Sequence, residues 1–287
     1  MPEQEAWWSV WAKTDRDPQN PAGIAAWLPL HQHLADSAGV AGLLVDNWVS
    51  PQVVRRVAAD LDGGVADVRM LVTWLAAVHD VGKISPAFTV QVLKDAPGLL
   101  DVMRHCGLAV DPRFADDTNR SRVRHEFVGQ EVVRTWLADE RGFPFQGVAA
   151  QLACVVGAHH GVPPGRSEIA YVQGGRGLAG RGVWERERAA ALRWATELVG
   201  GPDALKAFGD ATVGRPAQAP HAAIVIMADW IASNAELFPL DPLPTPGALL
   251  RAPDPDYSAE RLAVGWRALG LPRRWSPRPV GCARRVH

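Results

Sequence analysis

Cysteine is scarce in this chain of 287 residues. Its three cysteines, Cys106, Cys154 and Cys282, stand far apart, and no two of them form a CxxC pair. Disulfide frameworks and thiolate zinc sites both need paired cysteines, so the sequence suggests neither of them. A reducing cytoplasm is therefore the simplest compartment for this protein.

Long apolar runs and a leader peptide are also missing. No stretch of about eighteen or more apolar residues free of charge occurs, which argues against a transmembrane helix. The N-terminal segment MPEQEAWWSVWAK is acidic before its tryptophans and has no basic region followed by an apolar run. We therefore expect neither a signal peptide nor an association with a membrane.

The chain carries little net charge. A formal charge of −1 and a pI near 6.8 do not mark the whole surface as a polyanion binder. Any affinity for nucleic acid must then come from a local patch or from bound metal. Most of the thirty basic residues are arginines, which suit phosphate contacts but also accompany GC-rich coding, and the lysines are only Lys13, Lys83, Lys94 and Lys206.

Helical periodicity is what the sequence does contain. A hydrophobic content of 47% is ample for a sizeable core, and alternating runs typical of strands are scarce, so we predict an all-α fold. We expect residues 1–240 to form one domain, and residues 241–287 to form a proline-rich linker and a short helical tail. Residues 161–183 are rich in Gly and Arg and are predicted to be a mobile surface loop. The clearest predicted helices cover residues 29–48, 67–81, 125–140, 145–160, 184–199 and 220–236.

Histidine and aspartate residues interrupt these apolar helices. Chance alone supplies about 0.6 His-Asp pairs in a chain of this composition, so the pair at 79 and 80 is weak evidence by itself. Helices bundled around one core would, however, bring such side chains together. Each unsatisfied polar group buried there would cost about 2 kcal/mol or more, and metal ions would satisfy them. The residues concerned are His33, His79, Asp80, His125, His159, His160 and Asp229.

The number and type of these side chains suit two ions better than one. Neighbouring residues on a helix differ in direction by about 100°, so His79 could bind one ion while the two oxygens of Asp80 span both. Imidazole-rich ligation favours transition metals such as Fe, Mn, Co or Ni over Mg.

Five short motifs give these residues a wider context. The segments LPLHQHLADSA, HDVGKISPAF, RHEFVG, GAHHG and MADWIASN resemble, in that order, the HD nuclease domain of the type I CRISPR nuclease-helicase, within the HD superfamily of phosphohydrolases. The resemblance covers roughly residues 7–238. One departure is Thr89, where many relatives carry Gln, but this is not a ligand position.

The resemblance implies an HD helical bundle around a dinuclear metal site. One ion would be held by His33, His79, Asp80 and Asp229, and the second by Asp80 as a bridge with His125, His159 and His160. It also implies an antiviral nuclease that hydrolyses phosphodiester bonds of single-stranded DNA. Two ions would produce hydroxide near neutral pH and neutralise the scissile phosphate. The catalytic residues would be Asp80 and Lys83, with the Lys83 ammonium near that phosphate.

Partners follow from the same resemblance. The family usually continues into a helicase, which needs a GxxxxGK[ST] loop for ATP. The only Gly-Lys pair here, Gly82-Lys83, is followed by Ile84 and belongs to the HD motif. We therefore expect a separate helicase and an RNA-guided surveillance complex as partners, with this chain either a stand-alone nuclease subunit or a truncated domain. The tail LPRRWSPRP resembles the segment that leads toward the helicase.

Some residues keep two explanations. Arg120, Arg122 and Arg124 could guide a single strand toward the metals, although a solvated loop is an equal alternative. Most tryptophans, among them Trp230, lie at helical core spacing and are predicted to pack in the core, whereas Trp7, Trp8 and Trp11 stay open.

Two rival functions also stay open. One is an HD phosphohydrolase acting on a small phosphoester such as a nucleotide, and the other is an inactive HD scaffold that binds DNA or protein.

Overall fold

The computed structural model describes residues 5–16, 23–272 and 274. These residues are mostly helical, which confirms the predicted all-α class. Short 3-10 turns lie at Ala6–Ser9, Val81–Lys83, Val90–Val92, Pro112–Asp116 and Arg120–Arg122. The helices in this part of the chain are α1 (Leu30–Asn47), α2 (Pro51–Ala58), α3 (Val65–Val78), α4 (Pro86–Thr89), α5 (Pro97–His105), α6 (His125–Arg141), α7 (Val148–Gly157), α8 (Arg166–Gly174), α9 (Arg176–Ala179), α10 (Val183–Glu197), α11 (Pro202–Lys206), α12 (Arg215–Ala232) and α13 (Pro255–Leu269).

The core of the bundle is formed around α1. This helix packs against α3, α12 and α13, and it is buried on nearly every side, as expected for a central helix. Leu34 and Leu44 of α1 and Leu71 and Trp74 of α3 are completely buried. Helices α6 and α7 form a second closely packed pair, and α7 also contacts α12. None of the helices among the described residues is both long and apolar enough to cross a bilayer.

A small antiparallel sheet accompanies the helices and was not expected from the sequence. Strand β1 (Trp11–Arg16) pairs with β2 (Ile24–Pro29), which pairs with β3 (Asp241–Pro242). The structure places two of the open N-terminal tryptophans in the core: Trp7, in the 3-10 turn before β1, is fully buried, and Trp11 on β1 is 7% exposed and stacks on Phe88 with ring centroids 4.1 Å apart. Both side chains therefore contribute to packing.

Two local expectations were wrong. Residues 161–183 contain helices α8 and α9 instead of one surface loop, because Ile169 and Val172 bury an apolar face that their glycine-rich surroundings obscured. Trp230, expected in the core, is 70% exposed. Its place on α12 follows the helical period, but that face of α12 is not covered by any described residue closely enough to bury the indole.

Helix α13 belongs to the predicted tail and lies against α1. Asp36 on α1 is buried, and its carboxylate accepts hydrogen bonds from Gln32 at 2.9 Å and from the Arg261 guanidinium at 2.8 Å. A Cβ atom added to Gly39 would meet the Leu262 side chain at 2.5 Å, so the two helices approach closely there. Most of the segment LPRRWSPRP, and Cys282, lie outside the described residues.

We expect Arg261→Met to lower the free energy of unfolding by about 3 kcal/mol or more. The substitution leaves the buried Asp36 carboxylate without its charged partner, and an uncompensated buried charge is costly. Denaturant unfolding followed by circular dichroism measures the loss. The matched control is Arg69→Met, which removes an exposed pair with Asp46 and should cost less than about 1 kcal/mol. Equal losses of unfolding free energy in the two variants would show that the buried pair stabilises the fold no more than the exposed pair does.

Candidate metal centre

Four side chains from three helices converge in the middle of the bundle. His33 lies on α1, His79 and Asp80 directly follow α3, and Asp229 lies on α12. The His33 Nε2 atom is 3.2 Å from both Asp80 Oδ2 and Asp229 Oδ1. His79 Nε2 is 3.3 Å from Asp80 Oδ2 and 3.6 Å from Asp229 Oδ1. One ligand atom from each residue lies within 4.8 Å of all the others, and all four residues are buried.

Three histidines form a second group beside the first. His125 is the first residue of α6, and His159 and His160 follow α7. The Nε2 atom of His125 is 3.3 Å from that of His159 and 3.2 Å from that of His160. The structure therefore places all seven residues that the sequence indicated in two adjacent clusters.

Asp80 lies between the two clusters. Its Oδ2 atom faces His33 and His79, as described above, while its Oδ1 atom is 3.1 Å from His125 Nε2 and 3.5 Å from His159 Nε2. Each oxygen of one carboxylate thus faces a different set of imidazoles. This is the arrangement that a carboxylate shared between two cations requires.

Backbone carbonyls orient two of the imidazoles. The Nδ1 atom of His79 is 2.7 Å from the Ala76 carbonyl oxygen, and that of His159 is 2.6 Å from the Val156 carbonyl oxygen. Since a carbonyl only accepts hydrogen bonds, each Nδ1 carries a proton, so the neutral form of each ring presents the lone pair of its Nε2 atom to the centre. A contact of this kind fixes both the tautomer and the ring orientation of a metal ligand.

Glu126 lies beside His125 and was missed by the sequence reasoning. Its side chain is buried, and Oε2 lies 3.5 Å from His125 Nδ1 while Arg124 pairs with Oε1. The available signal was an acidic residue directly after a candidate ligand in the RHEF motif. The Glu126 carboxylate therefore lies near the Nδ1 atom of His125, while the Nε2 atom of that ring faces Asp80.

The residues present fit metal ions. His33 Nε2, His79 Nε2 and Asp80 Oδ1 are buried, and they form no well-directed hydrogen bond with the described residues although several nitrogen and oxygen atoms converge on them. Leaving such atoms unsatisfied is expensive, whereas a cation between them would satisfy them all. The donor set of five imidazoles and two carboxylates suits a borderline transition metal.

The electrostatics of the centre also favour positive charge. Burial alone would lower the pKa of His79, but Asp80 and Asp229 raise that pKa to about 10. Burial opposes ionisation of Asp229, yet its contacts with His33 and His79 hold its pKa well below the ordinary value.

In the three-histidine cluster, the pKa values of two histidines are lowered, in contrast to that of His79. Burial is the main cause that lowers the pKa of His125, and it also lowers the pKa of His160, to about 4. Neutral imidazole is the form that binds metals, so these two side chains are suited to that task near pH 7.

Lys83 is tied to the centre by two contacts. Its ammonium lies 2.5 Å from Asp80 Oδ2 and donates a hydrogen bond to the Ala12 carbonyl oxygen at 3.1 Å. The 3-10 turn that carries Lys83 packs so closely on α6 that a Cβ atom on Gly82 would meet the His125 carbonyl oxygen at 1.9 Å. Only glycine allows this approach, which brings Asp80 to His125.

The predicted substrate-binding arginines precede α6. Arg122 stacks its guanidinium on the Tyr171 ring at 3.7 Å, and Arg124, which is 53% exposed, pairs with Glu126. Arg120 is half-buried and lies with Arg122 in the 3-10 turn Arg120–Arg122. The structure thus places all three on the segment that leads into His125.

The helices are bundled around an adjacent His-Asp pair, and α1, α6, α7 and α12 bring further histidines and an aspartate to it. This arrangement defines an HD-type metal-binding hydrolase domain. The family described as "Cas3, HD domain" matches residues 11–238, and this chain belongs to that family.

Similar proteins agree with this assignment. The chain is 26% identical over 274 residues to the "CRISPR-associated nuclease/helicase Cas3" of Streptococcus thermophilus, covering 88% of this chain and 27% of that relative. It therefore spans about a quarter of the relative's length. Among solved structures, "Crystal structure of CRISPR-associated protein" has a TM-score of 0.73 and 27% identity, over 92% of this chain and 27% of that one.

A solved structure of similar length supports the fold. It is titled "Crystal structure of the Thermus thermophilus cas3 HD domain in the presence of Ni2+" and has a TM-score of 0.58 at 24% identity. The alignment covers 93% of this chain and 92% of that one.

Proposed function

We propose that this chain is a metal-dependent nuclease that hydrolyses phosphodiester bonds of single-stranded DNA in type I CRISPR interference. The observation that carries the proposal is the position of Asp80, whose two oxygens face two separate ligand clusters 3.1–3.5 Å away. Two-metal sites are a common arrangement in nucleases and phosphatases. The Streptococcus thermophilus relative is itself described as a nuclease/helicase.

The proposed cofactors are two divalent transition-metal ions. One would be held by His33, His79, Asp80 and Asp229. The other would be held by Asp80 together with the three-histidine cluster, His125, His159 and His160. The Thermus thermophilus structure was determined in the presence of Ni2+. The imidazole-rich donor set itself favours Ni, Fe, Mn or Co over Mg.

When bound, two such ions would supply a water of lowered pKa and would neutralise the oxygens of the scissile phosphate. The residues of the chain prepare this chemistry. Lys83 pairs with the Asp80 carboxylate, the Ala76 carbonyl orients His79, and the Glu126 carboxylate lies beside His125. Lys83 is also proposed to stabilise charge that develops on the phosphate.

The substrate is proposed to enter at the three-histidine side. His33 and His79 are fully buried, whereas His160 is exposed and the His125 side chain is 17% exposed. Arg124 is next to His125 in sequence, with Arg122 and Arg120 just before it, so these arginines are suited to guide a strand of phosphates to this side. A flexible single strand can bring one phosphate against partly buried ligands more easily than a rigid duplex.

A helicase and an RNA-guided surveillance complex are the proposed partners, and the cytoplasm is the proposed location. The printed sequence contains no GxxxxGK[ST] motif, so an ATP-driven motor would have to be contributed from outside these 287 residues. Residues 1–240 are proposed to contain the nuclease, with 241–287 as linker and tail.

The test incubates the metal-loaded protein with linear and circular single-stranded DNA, a duplex of the same sequence and a panel of nucleotides. We expect the single strands to be cut and the duplex and nucleotides to survive much longer. The control is the same protein with EDTA. Hydrolysis of nucleotides alone would favour the small-phosphoester hydrolase instead, and no hydrolysis of any substrate would favour an inactive scaffold.

A further inference from the structure

Strand β1 forms one wall of the metal centre. The Ala12 carbonyl oxygen on this strand accepts the hydrogen bond from Lys83, 3.1 Å away. Its neighbour Trp11 stacks on Phe88 and donates to the Thr89 carbonyl oxygen at 3.4 Å. These contacts fix β1 against the segment that follows the His-Asp pair. The next residue on the strand is Lys13.

Lys13 lies beside the charges of the centre, because the Ala12 carbonyl that accepts the hydrogen bond from Lys83 belongs to the peptide bond between Ala12 and Lys13. The groups that act on its ammonium are the carboxylates of Asp229 and Asp80 and the ammonium of Lys83. Lys13 is half-buried, and burial is the main cause that lowers its pKa; Lys83 lowers that pKa further, while the two carboxylates raise it. The second lysine of the site therefore lies within electrostatic reach of both metal-binding carboxylates.

Lys13 differs from Lys83 in its partners. The Lys83 ammonium is engaged by Asp80 and by the Ala12 carbonyl, whereas the Lys13 side chain has no ion pair or hydrogen bond with another described residue. A half-buried ammonium that has no direct partner has lost part of its hydration, and no protein contact replaces it. An anionic ligand beside the centre would provide that partner.

We infer that the Lys13 ammonium binds a phosphate of the substrate strand beside the metal centre, as a second cationic group in addition to the metals. The inference rests on the proposed function. A charged hydrogen bond from ammonium to phosphate is among the stronger polar contacts. A lysine presents a compact charge, which suits a confined position better than the wide fork of arginine. Two of the four lysines in this arginine-rich chain lie beside this centre, Lys83 next to Asp80 and Lys13 next to the strand carbonyl that Lys83 contacts.

The test compares Lys13→Met, which keeps the aliphatic stem, with Lys13→Arg, which keeps the charge. Lys206→Met is the matched control, because Lys206 is an exposed lysine on α11. For cleavage of single-stranded DNA we expect kcat/KM to fall by about ten- to a hundredfold in Lys13→Met and less in Lys13→Arg. The control should match the wild type, and all three variants should keep the wild-type metal content and Tm.

A second measurement does not depend on turnover. Binding of a fluorescent phosphorothioate oligothymidylate to the metal-loaded protein is followed by anisotropy at several NaCl concentrations. Loss of one phosphate contact should reduce the slope of log K against log [NaCl] by about 0.7 in Lys13→Met and leave it unchanged in Lys206→Met. Lys13→Arg should retain most of the wild-type slope.

The outcomes distinguish the inferred phosphate contact of Lys13 from the proposed nuclease function. A wild type that cuts and binds the strand, with Lys13→Met equal to it in both measurements, would overturn the inference and leave the proposed function standing. Equal losses of Tm and metal content in Lys13→Met and Lys13→Arg would also overturn it, since they would assign Lys13 a structural role. A wild type that neither cuts nor binds single strands would overturn the proposed function itself.

Discussion

Asp80→Asn is expected to reduce cleavage of single-stranded DNA by about a thousandfold or more. The amide has nearly the shape of the carboxylate but lacks its charge, and only one of its two polar atoms can accept. Because the two oxygens of Asp80 face the two ligand clusters separately, the substitution weakens both metal positions at once. This factor corresponds to a loss of about 4 kcal/mol of transition-state stabilisation.

The measurement combines single-strand cleavage with elemental analysis and far-UV circular dichroism. We expect the spectrum of the folded protein to be retained and the metal content to fall at both positions. His79→Ala should also abolish cleavage without unfolding the chain. The matched control is Asp101→Asn, which changes an exposed aspartate paired with Arg104. An Asp80→Asn protein with the activity and metal content of the wild type would refute the role of Asp80 as the shared ligand.

Removal of metal by EDTA should abolish cleavage and destabilise the fold. Ligands that bind only the folded state stabilise it by about 4 kcal/mol at a thousand times their Kd, so dialysed, metal-free protein should have a clearly lower Tm. Adding back Mn2+, Fe2+, Co2+ or Ni2+ should restore activity, whereas Mg2+ and Ca2+ prefer oxygen ligands and should restore it poorly. Elemental analysis should find two ions per chain.

Asp80→Asn also provides the control for this experiment. Since the variant should hold little metal, its Tm should change far less with EDTA than that of the wild type. Undiminished cleavage by metal-free wild-type protein would contradict the metal mechanism. Full activity with Mg2+ alone would instead contradict the preference for transition metals.

Much of the fold and of the candidate site could be predicted from the sequence because the relevant signals are local. Apolar residues at helical spacing identified the central helices, and α1 was predicted as residues 29–48 and lies at Leu30–Asn47. The positions of His33, His79, Asp80, His125 and Asp229 in otherwise apolar helices indicated a buried polar cluster. The ordered motifs indicated the family, which the comparisons confirm.

Other features depend on packing between distant residues, so periodicity could not reveal them. Helix α3 was expected to reach Val81, but it ends at Val78 because the following turn is pressed against α6 at Gly82. The glycine and arginine content of residues 161–183 concealed helix α8. The exposure of Trp230 depends on which helices cover α12, and the helical period alone carries no such information.

By itself, the sequence determined the helical class, the family and the seven candidate ligand positions, since each is encoded in local pattern or in ordered motifs. The tertiary structure alone decided which oxygen of Asp80 faces which imidazoles, that Glu126 is buried beside His125, and that Lys13 follows the strand residue whose carbonyl contacts Lys83. These features depend on contacts between residues that are far apart in the chain. They are set by how helices and strands pack, and no local pattern specifies them.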